Sequence, residues 1–334
     1  MEMAWARPPK NLKLGQIRTF LHGLGLSFDE GVQATAMLYK HGELVATGSR
    51  ENNVLKCIGV SPDSQGEGLA ATLMTALITD AAENDIFHLF LFTKPESVRY
   101  FIELGFFPVV QTTDAALLEN RREGIRDFVA SLDQPKTTGR IGAIVANCNP
   151  FTNGHLYLIE TAAKACEVLH VFVLSEDRSA FSAQTRMALV QAGTTHIPNV
   201  LVHPTGDYLI SSATFPDYFI KDKARAQGIN CELDLRLFAE RFAKPMNITE
   251  RFVGTEPNCP VTSAYNAQMQ AILPQYGITI TEIPRLAQCG QIISASLVRK
   301  LVMQGKLAEV RPFVPETTYR YLERVKADEA AGAV

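Results

Sequence analysis

Asn149-Pro150-Phe151-Thr152-Asn153-Gly154-His155 follows directly on Ile141–Ala146, a short run of strand-forming character. After it, Leu156, Ile159, Ala163 and Cys166 recur at spacings of 3, 4 and 3. Those spacings line one face of a helix, expected over 154–166. NPFTNGH is therefore the turn from a strand into a helix, and Gly154 and His155 stand at the helix start. Main-chain N–H groups lack partners there and the helix dipole is positive, which suits a phosphate. Gly154 lets such a group approach the backbone. His155 and Thr152 can each donate to a phosphoryl oxygen as charge develops on it. The same residues also fit an ordinary turn in which Asn and Thr cap the helix. No G-x-x-x-x-G-K-S/T stretch occurs in the chain, so a P-loop is excluded.

Outward from this turn the pattern repeats. Strands are expected at 141–146, 169–174, 200–202, 251–253 and 278–283. Helices are expected at 154–166, 183–192, from about 214, at 262–272, at 295–304 and at 316–326. Such alternation implies a doubly wound α/β domain with a parallel sheet, whose ligands lie at the carboxyl ends of the strands. Far downstream, Ile293-Ser294-Ala295-Ser296-Leu297-Val298-Arg299 opens another helix, with Ser294 as its N-cap and Gly305 as its stop. Ser296 in the first turn and Arg299 one turn later could converge on a second anion, such as the β- and γ-phosphates of a nucleotide. A capped surface helix would look the same.

Toward the N-terminus, the polar stretch Ser131–Gly139 has neither helical nor strand period. It divides the chain into a domain over 1–130, a linker over 131–139 and a domain over 140–330. The first part opens with a helix at about 15–26 and a hairpin, Val32–Tyr39 with Glu43–Thr47. Strand Val54–Val60, a helix to Ala82, strand Ile86–Phe92, a helix at about 95–104 and strand Phe107–Gln111 follow, implying one mixed sheet with helices packed on it. Between Val60 and the first of those later helices lies Gln65-Gly66-Glu67-Gly68-Leu69-Ala70, whose amides could cradle a diphosphate. The stretch also satisfies G-x-G-x-x-A. A dinucleotide fold, however, wants an acid after the next strand, where this chain has Thr93-Lys94.

Composition limits the alternatives. With 46% apolar and 20% charged residues in 334, the chain has the profile of a globular protein in two domains. A net charge of −3 argues against a broad basic surface for nucleic acid or anionic membrane. Six cysteines, none at C-x-x-C spacing, suggest reduced thiols in the cytoplasm. The first residues show no apolar core of a signal peptide, and no apolar run approaches the roughly 20 residues of a membrane span. No cluster has metal-ligand spacing; His88, His170, His196 and His203 are isolated in sequence and read as structural.

Thr152–His155 and Ile293–Arg299 together resemble the signatures of the H/T-x-G-H nucleotidyltransferases, in the family's order and on the matching elements. Gln65–Ala70 resembles the pyrophosphate loop of the GNAT acetyltransferases, as Ser97–Phe106 resembles their helix–LGF segment, with Tyr100 where a catalytic acid often stands. The pairing of the two modules, with NPFTNGH, ATFPDYFIK, RFVGTEP and ISASLVR, resembles the citrate lyase ligase family over nearly the whole chain. That resemblance implies ATP as substrate, with Thr152 and His155 at the α-phosphate and Asn149, Pro150, Phe151 and Gly154 beside them. It implies that Ser294, Ser296 and Arg299 hold the outgoing pyrophosphate, that Gly254, Thr255 and Glu256 line the adenosine, and that Arg186 and Lys221 contact phosphate. Mg²⁺ would be held by phosphate oxygens and water. The implied partners are acetate and the citrate lyase acyl-carrier subunit, whose pantetheine arm Gln65, Gly66, Gly68 and Ala70 would dock. Two other readings share these residues: an adenylyltransferase acting on a phosphate ester such as phosphopantetheine, and a non-catalytic regulator that binds acetyl-CoA and ATP.

Overall fold

A computed structural model of the chain describes residues 1–176, 179–209, 218–220, 225–256, 260–288 and 290–330. These residues divide between two compact units, one drawn from Met1–Ile125 and Ser212–Leu233, the other from Arg126–Ser211 and Asp234–Val334.

In the first unit the chain runs β1 (Glu2–Ala6), α1 (Asn11–Gly23), β2 (Ala34–Lys40), β3 (Glu43–Glu51), β4 (Val54–Val60), α2 (Leu69–Ala82), β5 (Phe90–Thr93), α3 (Val98–Glu103), β6 (Phe107–Gln111) and β7 (Ala116–Glu119). The strands form one sheet in the order β1-β2-β3-β4-β5-β7-β6, antiparallel except for β4 beside β5. A parallel pair needs a crossover, and α2 supplies it. Its residues Leu69, Leu73, Leu77 and Ala81 recur at helical spacing and bury against Leu38, Leu55, Leu91 and Leu118. The sheet is mixed, as the sequence pattern implies, but it gains β1 and β7. Each is a run of 4 or 5 residues without alternation, and pairing with a neighbour, not local pattern, makes it a strand.

Further along come α4 (Gly124–Ala130), β8 (Ile141–Ala146), α5 (Asn153–Ala163), β9 (Val168–Val173), α6 (Ala183–Thr194), β10 (Val200–Pro204), α7 (Ala226–Leu237), β11 (Glu250–Gly254), α8 (Pro260–Ile272) and β12 (Thr279–Ile283). A small hairpin, β13 (Ala287–Gln288) with β14 (Gln291–Ile292), precedes α9 (Ala295–Met303), α10 (Leu307–Val310) and α11 (Glu316–Ala330).

The sheet of the second unit is wholly parallel, in the order β10-β9-β8-β11-β12. Both faces are covered. Ile144, Val171, Val173 and Phe252 meet Ile159, Ala162 and Val190 from α5 and α6 on one side. On the other, Phe172 packs edge-on against Phe238 and Phe242 of the π-helical turn that continues α7, at 6.4 and 5.5 Å. From β8 the chain winds outward to β9 and β10, then returns to lay β11 and β12 on β8's other edge. That reversal is a topological switch point, and the crevice for a ligand opens beyond the carboxyl ends of β8 and β11. The turn after β8 is NPFTNGH; the turn after β11 is Thr255-Glu256.

Candidate active site

A reciprocal cap closes the turn after β8. The His155 main-chain N–H donates to Thr152 Oγ1 at 3.4 Å, and the Thr152 main-chain N–H donates to His155 Nδ1 at 3.1 Å. This is a capping box with histidine in the position usually held by Glu or Gln. The Thr152 hydroxyl also lies 2.9 Å from Nδ1. A ring nitrogen that accepts an N–H carries no proton of its own, so the neutral imidazole keeps its hydrogen on Nε2. Burial, helped by the charge of Arg285, pushes the His155 pKa down to about 4. At neutral pH the ring is thus an uncharged Nε2–H donor at the start of α5. Fully buried Phe151 stacks against it at 6.0 Å and 11°. Space for Phe151 depends on Gly193 of α6, where a Cβ would stand 2.4 Å from the phenyl ring.

Thr152, expected to donate to phosphate, is 1% exposed and has its hydroxyl committed to the cap. Its place in the structure is to aim His155. Asn149 holds the turn from the other side, its Oδ1 accepting the Phe181 N–H at 3.1 Å. Pro150 is buried behind a cis peptide bond.

The second motif arrives at this same turn. Ser294 caps α9, accepting the Leu297 N–H at 3.1 Å. Arg299 donates through Nη2 to Ser296 Oγ at 3.1 Å and through Nη1 to the Asn149 carbonyl, across 150 positions of sequence. Gly154 lies against Ile293, since a Cβ at 154 would come 3.4 Å from the Ile293 carbonyl oxygen. The starts of α5 and α9 are therefore neighbours.

On the far side of the crevice the turns after β11 and β12 are tied together by Arg285. Its Nε donates to the Thr255 carbonyl at 2.7 Å, its main-chain N–H to Thr255 Oγ1 at 3.3 Å, and its Nη2 to the Glu256 carboxylate. The Gly254 carbonyl accepts from Asn266 Nδ2 at 3.1 Å. Arg285 is a site residue that sequence reading missed. The available signal was its position, a cation just past the carboxyl end of a parallel strand, where ligands gather.

Arg186, expected at a phosphate, is fully buried. Its guanidinium donates to the carbonyls of Phe181, Asn147, Leu174 and Glu176 and to Asn147 Oδ1. It pins the segments that leave β8 and β9, and so shapes the crevice from behind. Lys221 lies outside the described residues. In the first unit Gly66 and Gly68 have φ of +85° and +75°, and Gly68 is the N-cap of α2. Gln65, Gly66 and Gly68 are exposed, Ala70 is buried, and Glu67 turns aside to pair with Lys40 at 2.8 Å. Tyr100 is 44% exposed.

The four histidines read as structural have protein partners: His170 Nδ1 with His203 Nε2 at 2.9 Å, His88 with Glu119 at 2.6 Å and His196 with Glu160 at 3.0 Å. Among the described residues no group of three His, Cys, Asp or Glu could hold a metal ion, and no helix is long and apolar enough to cross a membrane.

Comparison with known proteins puts this geometry in a family context. A model of the "Citrate lyase ligase C-terminal domain" matches residues 141–322, and a model of the "Acetyltransferase (GNAT) domain" matches 22–119. The chain is 42% identical to the citrate (pro-3S)-lyase ligase of Klebsiella pneumoniae over 319 residues, which cover 94% of this chain and 93% of that protein. The ligase of the same name from Escherichia coli K12 is 40% identical over 323 residues, covering 95% and 92%. That from Haemophilus influenzae is 40% identical over 320 residues, covering 93% and 96%.

Proposed function

The chain belongs to the citrate lyase ligase family and is an enzyme of the ligase class, and from that premise we propose that it acetylates the prosthetic-group thiol of the citrate lyase acyl-carrier subunit at the expense of ATP. An acetate oxygen bonds to the α-phosphorus while the bond from that phosphorus to the β-phosphate oxygen breaks, releasing pyrophosphate. The thiolate of the carrier then attacks the acyl carbon of the acetyl-adenylate. A C–S bond forms, the C–O bond to AMP breaks, and the thiol proton passes to solvent. No side chain of this protein need form a covalent bond with substrate.

The observation that carries this reading is the junction of the two helix starts, with Arg299 bonded to the Asn149 carbonyl and Gly154 against Ile293. One triphosphate is long enough to meet both. The neutral His155, donating through Nε2, would stabilise charge building on the α-phosphoryl oxygens. Ser296 and the remaining N–H groups of Arg299 would receive the departing pyrophosphate, and the Gly254–Glu256 turn, tied by Arg285, would line the adenosine. Arg186 and Thr152 act through others, by positioning. Mg²⁺ would accompany the nucleotide, held by phosphate oxygens and water, and would neutralise phosphate charge. The Gln65–Ala70 loop would dock the pantetheine arm of the carrier, its glycines keeping side chains away from a diphosphate.

The test is pyrophosphate release from ATP with a panel of carboxylates, with and without deacetylated citrate lyase. The proposal requires acetate dependence and acetyl thioester on the carrier. Nucleotide product without acetate would point to an adenylyltransferase, and ligand binding without turnover to a regulator. Docking has its own check: Gly68→Asp should raise the KM for the carrier, and an unchanged KM would refute it.

A further inference from the structure

Among the described residues, four lysine or arginine side chains are buried. In the first unit Arg50 pairs with Asp80, and Lys56 pairs with Glu51 and Asp29. In the second, Arg186 is bonded to four carbonyls. Arg251 of β11 is the exception. It is 3% exposed, and its Nη1 has no hydrogen-bond partner among the described residues. Its guanidinium lies 4.2 Å over the Phe238 ring. An aromatic face offsets only part of the desolvation cost of a buried cation. The acid next to it in sequence is turned away. Glu250 belongs to the other face of the sheet, where it pairs with Arg140 at 3.2 Å and accepts from Thr281 Oγ1 at 2.6 Å.

What surrounds Arg251 suits an anion. Register places it beside Ala143 of β8, and Ala143 beside His170 of β9, so the three share one row and one face of the sheet. Two strand spacings, roughly 10 Å, separate the outer pair, and the residue between them contributes only a methyl group. His170 is 1% exposed. Its Nδ1 is engaged with His203 Nε2 at 2.9 Å, which makes Nε2 the ring nitrogen left for a ligand. His170 also lines a cavity of about 630 Å³, together with Lys136, Ile141, Glu167, Met246 and Asn247. Glu167 is exposed on its rim. The cavity lies at the amino ends of the strands, since Ile141 begins β8 and Asn247 precedes β11. That is the end of the sheet opposite the NPFTNGH crevice. The turn that supplies Phe238, Phe238–Ala243, is π-helical, a local form that recurs at functional sites.

We propose that Arg251 and His170 form a second ligand site in this unit, built for a short dicarboxylate and entered through the cavity. One carboxylate would take paired N–H bonds from the guanidinium. The other would accept from His170 Nε2–H, while His170 Nδ1 accepts from His203 Nε2–H. Ile141 and Met246 would meet the carbon chain between the two charges, which inorganic phosphate lacks. Lys136 at the mouth would favour entry of an anion. The site is separate from the chemistry proposed for Thr152–His155, and reading it requires no turnover.

Calorimetric titration of the full chain with succinate tests this, with succinamide as the uncharged analogue. Wild type should bind succinate, should not bind succinamide, and should keep its succinate affinity at saturating ATP. Arg251→Met and His170→Phe should each weaken binding at least about tenfold, the loss of one charge-assisted hydrogen bond. A thermal melt without succinate separates a ligand site from a structural cation. Removing an unpaired buried charge is neutral or stabilising, so Arg251→Met should melt no lower than wild type, and succinate should raise the Tm of wild type alone. Absence of succinate binding to wild type overturns the proposal whatever the variants do. So do equal binding of succinamide, displacement of succinate by ATP, full affinity in a folded variant, or an Arg251→Met protein that melts below wild type. Should His170→Phe not fold, wild type and Arg251→Met decide.

Discussion

His155→Gln separates the two jobs of the imidazole. Nδ1 closes the capping box by accepting the Thr152 N–H at 3.1 Å, while Nε2–H is the donor assigned to the reaction. Glutamine is a normal residue at this position of a capping box, so its Oε1 can take over the bond from Thr152. It cannot place an N–H where Nε2 stands. Alanine loses both functions. Loss of one preorganised donor should lower turnover by about 10²–10³ in either variant. Loss of the cap should cost only the alanine variant, by about 1 kcal/mol. In a unit of this size that is a Tm roughly 2–4 °C below the glutamine variant. Steady-state pyrophosphate release and a thermal melt of the three proteins are sufficient. A glutamine variant within about threefold of wild-type turnover would refute the Nε2 role, since a true oxyanion donor is worth far more. A glutamine variant that melts with the alanine one would refute the capping role of Nδ1.

The same ring sets a pH dependence. His155 has a pKa of about 4 in the folded chain against 6.5 as its ordinary value, so between those values the unfolded chain binds the extra proton. Stability of the second unit should rise with pH through that window and be lost as pH falls from 6.5 toward 4. His170, pushed to about 4 by burial and the neighbouring His203, acts in the same sense. Urea midpoints at pH 7, 5.5 and 4.5 check the slope, and His155→Gln should flatten part of it; a midpoint that improves on acidification contradicts the assignment. Arg186→Met should act on folding first. It leaves the carbonyls of Phe181, Asn147, Leu174 and Glu176 without this donor, at about 3 kcal/mol or more in denaturant stability. A variant as stable as wild type but defective in ATP binding would return Arg186 to the nucleotide.

Helix starts were legible from sequence because their chemistry is local. Thr152 and Ser294 cap the helices that follow them, and the periodicity of Leu156, Ile159 and Ala163 marks which face packs. The alternation of strand and helix likewise announces a parallel sheet. What a side chain faces is not local. Nothing in the spacing of α6 distinguishes a phosphate-binding Arg186 from one buried under four carbonyls, because the carbonyls belong to segments leaving other strands. Arg285 follows Pro284 with no repeat to betray it and gains meaning only when β12 lies beside β11. The histidine in the capping box was readable as a donor, but its tautomer required knowing that Nδ1 already accepts the Thr152 N–H. Tyr218 shows the limit most clearly, since a segment far along the chain packs into the first unit's sheet.

The central claim is that a carboxylate attacks the α-phosphate of an ATP gripped between the two helix starts. Isotope exchange between labelled pyrophosphate and ATP, with no carrier protein present, reads that step alone. Exchange should appear with acetate, vanish without a carboxylate, and fall by about 10²-fold or more in both His155→Gln and Arg299→Ala. Exchange that proceeds without acetate, or that survives in either variant at the wild-type rate, would contradict it.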